Sequence, residues 1–408
     1  MDFDLRPVAR EEVPGFLRCS EGAFGVQADD EAVEVEAAAV EDDRSLAVFD
    51  GDDMVATAGA FSFELTLPGL TSARAAGVSY VGVQPTHRRL GLLRAMMRRQ
   101  LDDVRDRGEA LAVLTASEGG IYGRFGYGPA TFVASYEIDR PAGLARGPQG
   151  TIHLVSGEVA AGAYPAVYDD ARRRQPGEVG RSQPWWDSFF FDYEGRRSGA
   201  GPLFHAVRAG PGGELDGYVS YRFDRRAEGG DLDRATVRVE ELCATSGTAY
   251  VDLWAFVCDI DLTRGAQLSG RPLDEPVRWL LRNPRSLRLT AMQDHLWVRL
   301  VDLAASLEAR RYLVDGSLVL EVDDPFCPWN EGTWRLEAGP SGAEARSVSG
   351  QDADLSLGAR ELGSTLLGGL AFSELVRSGR VVERVAGAAA RADAMFGCDP
   401  PPFCATEF

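Results

Sequence analysis

Lysine is missing from this chain; all 43 basic residues are arginine. Enzymes that form a Schiff base, with a substrate carbonyl or with pyridoxal phosphate, need a lysine amine, so that chemistry is excluded. The P-loop NTPases rest on a Gly-Lys-Ser/Thr step, which argues strongly against that class as well. Nor can the protein be modified on lysines of its own. Metal signatures are equally scarce. The six cysteines, Cys19, Cys243, Cys258, Cys327, Cys398 and Cys404, make no Cys-x-x-Cys pair, so neither a zinc knuckle nor a redox motif is visible. Such thiols are expected to be reduced and buried. The four histidines, His87, His153, His205 and His295, show no His-x-x-x-His spacing, and no metal is expected. His87 is expected to be structural or solvated. No apolar run is long enough to cross a bilayer. The opening Met1-Asp2-Phe3-Asp4-Leu5-Arg6 is acidic and lacks the apolar core of a signal peptide. A cytoplasmic protein without membrane contact is expected.

Positive charge is also in short supply. Against the 43 arginines stand 62 acidic residues, for a formal net charge of -19. Nucleic-acid binding requires a basic face, so no nucleic-acid partner is expected. An acidic surface would attract polycationic solutes, although acidity serves solubility too. At 408 residues the chain suits two or three domains, and 45% hydrophobic with 26% charged residues marks it as globular.

What the chain does contain is concentrated between Val78 and Tyr127. Val78 to Val83 reads as a short apolar strand stopped by Pro85, which cannot donate to a sheet ladder. A basic turn follows, Thr86-His87-Arg88-Arg89-Leu90-Gly91. The next stretch places Leu93, Met97, Leu101 and Val104 at helical spacing and closes at Gly108, ahead of the strand Leu111-Ala112-Val113-Leu114. A strand, turn and helix in that order suit an anion, because unpaired amides and the positive dipole end gather at the helix start. Gly91 permits close approach, and Arg88, Arg89 and Arg94 add charge. The plain alternative is an ordinary β-turn-α with solvated arginines. Ser117-Glu118-Gly119-Gly120-Ile121-Tyr122-Gly123-Arg124-Phe125-Gly126-Tyr127 follows, and a short helix capped by Gly126 is expected from Ile121 to Phe125.

Arg88-Arg89-Leu90-Gly91-Leu92-Leu93 resembles the Gln/Arg-x-x-Gly-x-Gly/Ala signature of the GCN5-related N-acetyltransferases, with Leu93 in place of the small residue. More closely, Pro85 to Arg94 and the long run from Ser117 to Thr131 resemble the Eis (enhanced intracellular survival) family, acetyltransferases of aminoglycosides and other amines. The resemblance implies an α+β (mixed α/β) chain of three domains. Residues 1–150 would form an N-terminal acetyltransferase domain. Residues 151–284 would form a degenerate acetyltransferase-like domain, whose equivalent turn, Ala244 to Thr248, has no arginine. Residues 285–408 would form a sterol-carrier-protein-like domain. A Gly-, Ala- and Pro-rich linker is expected from Pro141 to Gly150.

The resemblance also implies acetyl-CoA as acetyl donor, a cationic amine as acceptor, and a homo-hexamer. Val81, Gly82 and Val83 would pair with the pantetheine arm like an added strand. Arg88, Arg89, Leu90, Gly91, Leu92, Leu93 and Arg94 would cradle the pyrophosphate, with Ser117 and Glu118 completing the cofactor site. Tyr122 is the expected proton donor to the departing thiolate, with Tyr127 as internal alternative. The ending Glu407-Phe408 matches the family ending, so the α-carboxylate of Phe408 is the expected proton acceptor. Phe24 and Glu407 are expected at the acceptor. Val13 and Val26 stand where an aromatic and an acidic residue are expected, and Asp30 to Glu41 has no tryptophan. The reaction therefore carries over further than the identity of the acceptor. Two other classes remain open at this stage, a non-catalytic acyl-CoA sensor and a lipid carrier.

Overall fold

A computed structural model describes residues 3–140, 143–144, 149–225 and 235–408. Most of the expected linker from Pro141 to Gly150 lies outside the described residues. The chain falls into two compact units. The first runs to Thr131 and includes Gln175–Gly180 and Asp294–Phe408, and the second comprises Phe132–Arg174 and Arg181–Gln293. Positions 150, 151, 284 and 285 all fall within the second unit.

The first unit holds a seven-stranded sheet in the order Asp4–Pro7, Leu46–Asp50, Asp53–Leu67, Thr71–Val83, Leu111–Thr115, Leu296–Leu300, Gly128–Pro129. Its early strands follow hairpin logic: Gly51 turns the first pair at φ 63°, and Gly69 turns the second at φ 81°. The strand Asp53–Leu67 runs unbroken for 15 residues. No turn-forming residue lies between Phe61 and Leu67 to interrupt it. The helix Leu92–Asp106 buries Leu92, Met96, Met97, Leu101 and Val104 along one face. Its buried Gln100 donates Nε2 to the Gly59 carbonyl at 2.8 Å, which ties helix to sheet.

The strand Leu296–Leu300 is buried at every residue and pairs antiparallel with Leu111–Thr115 on one side and with Gly128–Pro129 on the other. Leu296, Val298 and Leu300 join a core that also contains Phe61, Phe63 and Val113. The same core takes in Leu318, Leu320, Leu336, Leu355, Met395 and Phe396 from the end of the chain. Those residues come from a second sheet, ordered Gly342–Ser347, Gly332–Gly339, Gly316–Asp323, Leu355–Gly358, Val382–Glu383, with helices Ala359–Thr365, Phe372–Arg377 and Ala388–Phe396. Asp302 caps the helix Leu303–Ala309, its carboxylate accepting from the Ala305 amide.

The second unit is built on its own seven-stranded sheet, ordered Leu287–Asp294, Phe132–Asp139, Thr263–Arg271, Ala235–Ala244, Leu215–Asp224, Phe204–Ala209, Thr151–Val155. Ala235–Ala244 and Thr263–Arg271 run parallel, with the helix Gly247–Asp259 between them in sequence. Ser246 caps that helix by accepting from the Ala249 amide, and fully buried Leu253 and Trp254 seat it in the core.

All six cysteines are free thiols; Cys19, Cys327 and Cys404 are buried and Cys243, Cys258 and Cys398 half-buried. Among the described residues no helix is long and apolar enough to cross a membrane.

Two glycines set how closely the helix Ala359–Thr365 approaches the first sheet. A Cβ on Gly128 would lie 1.9 Å from the Arg360 carbonyl, and one on Gly363 would lie 2.2 Å from the Val298 carbonyl. Both neighbours are backbone and cannot swing aside. Gly128→Ala and Gly363→Ala are each expected to destabilise the protein by roughly 1–3 kcal/mol. Gly162→Ala, in an exposed helix position with open space around it, is expected to stabilise by about 0.5–1 kcal/mol. Urea melts of the three variants check the ordering; an undisturbed melt for Gly128→Ala and Gly363→Ala would mean the helix can move off the sheet.

Candidate active site

Parallel pairing between Thr71–Val83 and Leu111–Thr115 covers only Ala75–Gly77 against Leu111–Val113. Beyond Gly77 the two strands part. The cause lies in the neighbouring register: pairing of Thr71–Val83 with Asp53–Leu67 shifts between Thr57 and Gly59, opposite Tyr80. Tyr80 takes a left-handed backbone, φ 55°, and its carbonyl accepts from the Thr57 hydroxyl at 2.7 Å. The edge of Val81–Val83 that faces the gap is thereby free of the ladder.

A cleft of about 600 Å³ fills that gap. Val81, Gly82 and Val83 line one side, and Ser117, Glu118 and Tyr122 line the other. Gly91, Leu92, Leu93 and Arg94 bring in the start of the helix, and Ala23 with Phe24 closes the rim. Arg89 and Gly91 both adopt left-handed backbone, φ 67° and 85°, so the turn folds tightly and the helix begins at once. The amides of its first turn have no helical carbonyl to bond and sit at the positive dipole end. Arg88 donates from Nη2 to the Ala23 carbonyl at 2.9 Å and from Nε to the Val83 carbonyl at 3.3 Å. It therefore pins the rim to the strand. His87 also lines the cleft, 3.2 Å from the Asp50 carboxylate and 2.8 Å from the Thr86 hydroxyl.

The expected cofactor contacts are thus gathered in one place, apart from Leu90, which is 46% exposed and does not line the cleft. Ala23, Ile121, Arg124 and Phe125 line it as well and were not expected. Of these, Arg124 carried a local signal, a cation two residues after Tyr122. The charge of the cleft is opposite to that of the chain: Arg88, Arg89, Arg94 and Arg124 face one carboxylate, Glu118. Among the described residues no cluster of His, Cys, Asp or Glu side chains is arranged to hold a metal ion.

Tyr122 and Tyr127 are distinguished by position. The Tyr122 ring is 6% exposed and lines the cleft. Burial, and secondarily the Glu118 charge, push its phenol up to about 12. Tyr127 lies edge-on to it, centroids 6.1 Å apart, fully buried and off the cleft wall. Burial pushes the Tyr127 phenol up further, with Arg299 partly opposing the shift.

Phe408 and Glu407 are not among the residues lining the cleft. The Phe408 ring is half-buried and packs edge-on against Phe63, centroids 4.7 Å apart, and against Phe61 at 6.4 Å. Its terminal oxygen accepts from the Thr115 hydroxyl at 3.1 Å, at the end of the strand that leads to Ser117. Upstream, the Phe403 amide donates to the Pro176 carbonyl at 2.8 Å and the Ala405 amide to the Glu178 carboxylate at 2.9 Å. The segment around Pro176 is itself bonded to Asp53–Leu67 through Thr66 and Glu64. Glu407 is exposed, and Phe24 is 55% exposed at the rim. Val13 is fully buried in the first helix and Val26 is 56% exposed.

Family models agree with this architecture. Residues 4–130 and 177–300 each match an acetyltransferase (GNAT) domain, and residues 303–405 match a sterol carrier protein domain. An uncharacterized N-acetyltransferase of Streptomyces coelicolor is 42% identical over 99% of both chains. The N-acetyltransferase Eis of Mycobacterium tuberculosis is 34% identical over 88% of this chain and 87% of its own. The crystal structure of Eis1 from Mycobacterium abscessus superposes with a TM-score of 0.86 over 100% of both chains at 33% identity. A GCN5-related N-acetyltransferase structure from Anabaena variabilis, only 17% identical, shares the fold with a TM-score of 0.85. A splayed strand, a helix start and a buried tyrosine around one cationic cleft, together with these relatives, place the chain in the Eis family of GCN5-related N-acetyltransferases, as an acetyl-CoA-dependent enzyme.

Proposed function

We propose that the enzyme transfers the acetyl group of acetyl-CoA to a primary amine of a cationic small molecule, aminoglycoside-like or polyamine-like. The observation that carries this reading is the inverted charge: a cleft walled by arginines in a chain of net charge -19. The polyanionic cofactor finds its counter-charge inside the cleft, while a polycationic acceptor is drawn by the rest of the surface. In this proposal the free edge of Val81–Val83 pairs with the pantetheine arm, and the amides at the start of Leu92–Asp106 take the pyrophosphate. Ser117 and Glu118 complete the donor side; Phe24 and Glu407 approach the acceptor.

An alkylamine has a pKa of about 10 and arrives protonated. It loses a proton to the Phe408 carboxylate, directly or through water, and then attacks the thioester carbonyl. A C–N bond forms, the C–S bond breaks, the leaving thiolate takes the proton of Tyr122, and the second proton lost by the nitrogen restores the phenol through water. Burial suits Tyr122 to this role, since a phenol at about 12 keeps its proton throughout the neutral range. The hydrogen bond from Thr115 supports the carboxylate role by fixing one oxygen of Phe408. A homo-hexamer and a cytoplasmic location are part of the same proposal, on family resemblance.

Tyr122→Phe should leave the Kd for acetyl-CoA unchanged and lower kcat by about a hundredfold or more. Calorimetric titration with stopped assays reads both, and full turnover in that variant would remove Tyr122 from the mechanism. The pH profile adds a sign. The donor is the protonated phenol, raised to about 12, so its loss begins only as pH approaches that value. The rate should climb with pH as the amine deprotonates and show no descending limb from Tyr122 between neutrality and about pH 10.

Appending residues after Phe408 turns its carboxylate into a neutral amide. Turnover should drop far more than acetyl-CoA affinity, and the thermal melt should hold; equal rates would exclude the carboxylate. Turnover across a panel of amines identifies the acceptor, with uniform inactivity on cationic amines sinking the substrate proposal. Light scattering should report six copies, and a monomer at working concentration would contradict the assembly.

A further inference from the structure

Arg299 is the fourth residue of the five-residue strand Leu296–Leu300 and is fully buried. Its Nη2 donates to both carboxylate oxygens of Asp324, at 2.8 and 2.7 Å, and Asp324 is 1% exposed. Asp324 opens a short loop that ends at Asn330. Within it Asp324 accepts from the Cys327 amide at 3.0 Å and from Asn330 Nδ2 at 3.1 Å. Asn330 in turn donates to the Leu300 and Val301 carbonyls at 3.1 and 3.2 Å and accepts from the Leu303 amide at 3.1 Å. The loop is thus sewn to the strand that carries Arg299.

The guanidinium meets the turn that carries Tyr122. Gly126 caps that turn in the left-handed region, φ 84°. A Cβ built on Gly126 would lie 2.4 Å from Arg299 Nη1 and 2.7 Å from its Cζ. The cap backbone therefore rests directly on the buried cation, closer than any side chain would permit. The loop grips the turn a second time through Phe326, edge-on to Phe125 with centroids 5.0 Å apart. The Phe326 ring also receives Arg98 at 4.0 Å and Arg94 at 5.4 Å, both from the helix Leu92–Asp106. One loop thereby spans the proton-donor turn and the cofactor helix.

Stability alone is a poor reason for such a pair. Removing two charges from water costs several kcal/mol per ion, and well-packed apolar residues often serve as well or better. What a fixed, planar guanidinium supplies is a rigid surface at a defined height. We infer that Arg299, held by Asp324, is a positioning residue that sets the height of the Tyr122 turn against the bound acetyl donor. The inference rests on Tyr122 being the proton donor.

The test is a cycle on the full-length protein. Arg299→Met with Asp324→Asn removes both charges together, leaves no unpaired ion and keeps a side-chain oxygen to accept from the Cys327 amide, so the double variant should fold and melt close to the parent. Its kcat should fall about 10- to 100-fold, the cost of misplacing a reacting group by about an ångström, while KM for acetyl-CoA changes by less than about twofold. In a Tyr122→Phe background the same pair of changes should alter kcat by less than about twofold, because the donor it would misplace is gone. Arg299→Lys keeps a cation beside Asp324 but loses the flat face; it should recover part of the loss, and it supplies the same kcat-against-KM reading should the double variant fail to fold. An undiminished kcat, or an equal loss with and without the Tyr122 hydroxyl, overturns the inference while leaving the donor assignment standing. Full activity of Tyr122→Phe by itself overturns the donor assignment and the inference with it.

Discussion

Three residue pairs of parallel ladder, Ala75–Gly77 with Leu111–Val113, are all that hold the two central strands of the first sheet together. Had the pairing continued, the edge of Val81–Val83 would be saturated and no cleft would exist. The register shift opposite Tyr80 ends it, through a left-handed residue whose carbonyl is caught by Thr57. Positive φ is costly for a bulky residue and persists only where the surroundings hold it. Here Phe16 and Phe61 both pack on the Tyr80 ring, with centroids 5.6 Å away in each case. A local backbone cost thus opens a binding site in what would otherwise be continuous sheet.

Around that opening the enzyme separates two electrostatic tasks. Arginines converge on the cleft, and the helix start adds oriented amides there. Elsewhere carboxylates dominate, so the same molecule presents opposite fields inside and outside the cleft. Having no lysine sharpens the arrangement, because no side-chain amine of its own competes for the acetyl group.

The residues from Leu296 onward complete the first sheet and its core. Leu296–Leu300 fills the position between Leu111–Thr115 and Gly128–Pro129, and one apolar core runs from Phe61 and Val113 to Leu318 and Met395. Apolar residues of the sterol-carrier-like domain are accordingly part of a shared interior. The glycines at 128 and 363 let helix and sheet touch backbone to backbone, immediately beyond Tyr127. That close contact gives the end of the chain a structural part in the site even apart from any role of Phe408.

Much of the site was legible in the sequence because its determinants are local. Pro85 ends a strand, Gly91 starts a helix, four apolar residues at helical spacing aim that helix at the sheet, and Gly126 caps the turn bearing Tyr122. Each is decided by backbone conformation within a few residues, and so most residues singled out between Val81 and Glu118 do line one cleft, Leu90 excepted. The strands that end at Val83 and begin at Leu111 were legible too. Partners were not legible. A short apolar run says that Leu296–Leu300 can be a strand and is silent on which strands flank it. Nothing near Arg299 in the chain announces Asp324 beneath it or Gly126 upon it. Nothing near Phe408 announces Phe63 and Thr115, or the Pro176 and Glu178 contacts that hold the tail upstream. Those pairings join residues far apart in sequence, where loop entropy is offset only by burial and hydrogen bonds made once the whole unit has assembled. The residue types and the local turns were written in the chain; the tertiary structure alone decided which of them meet.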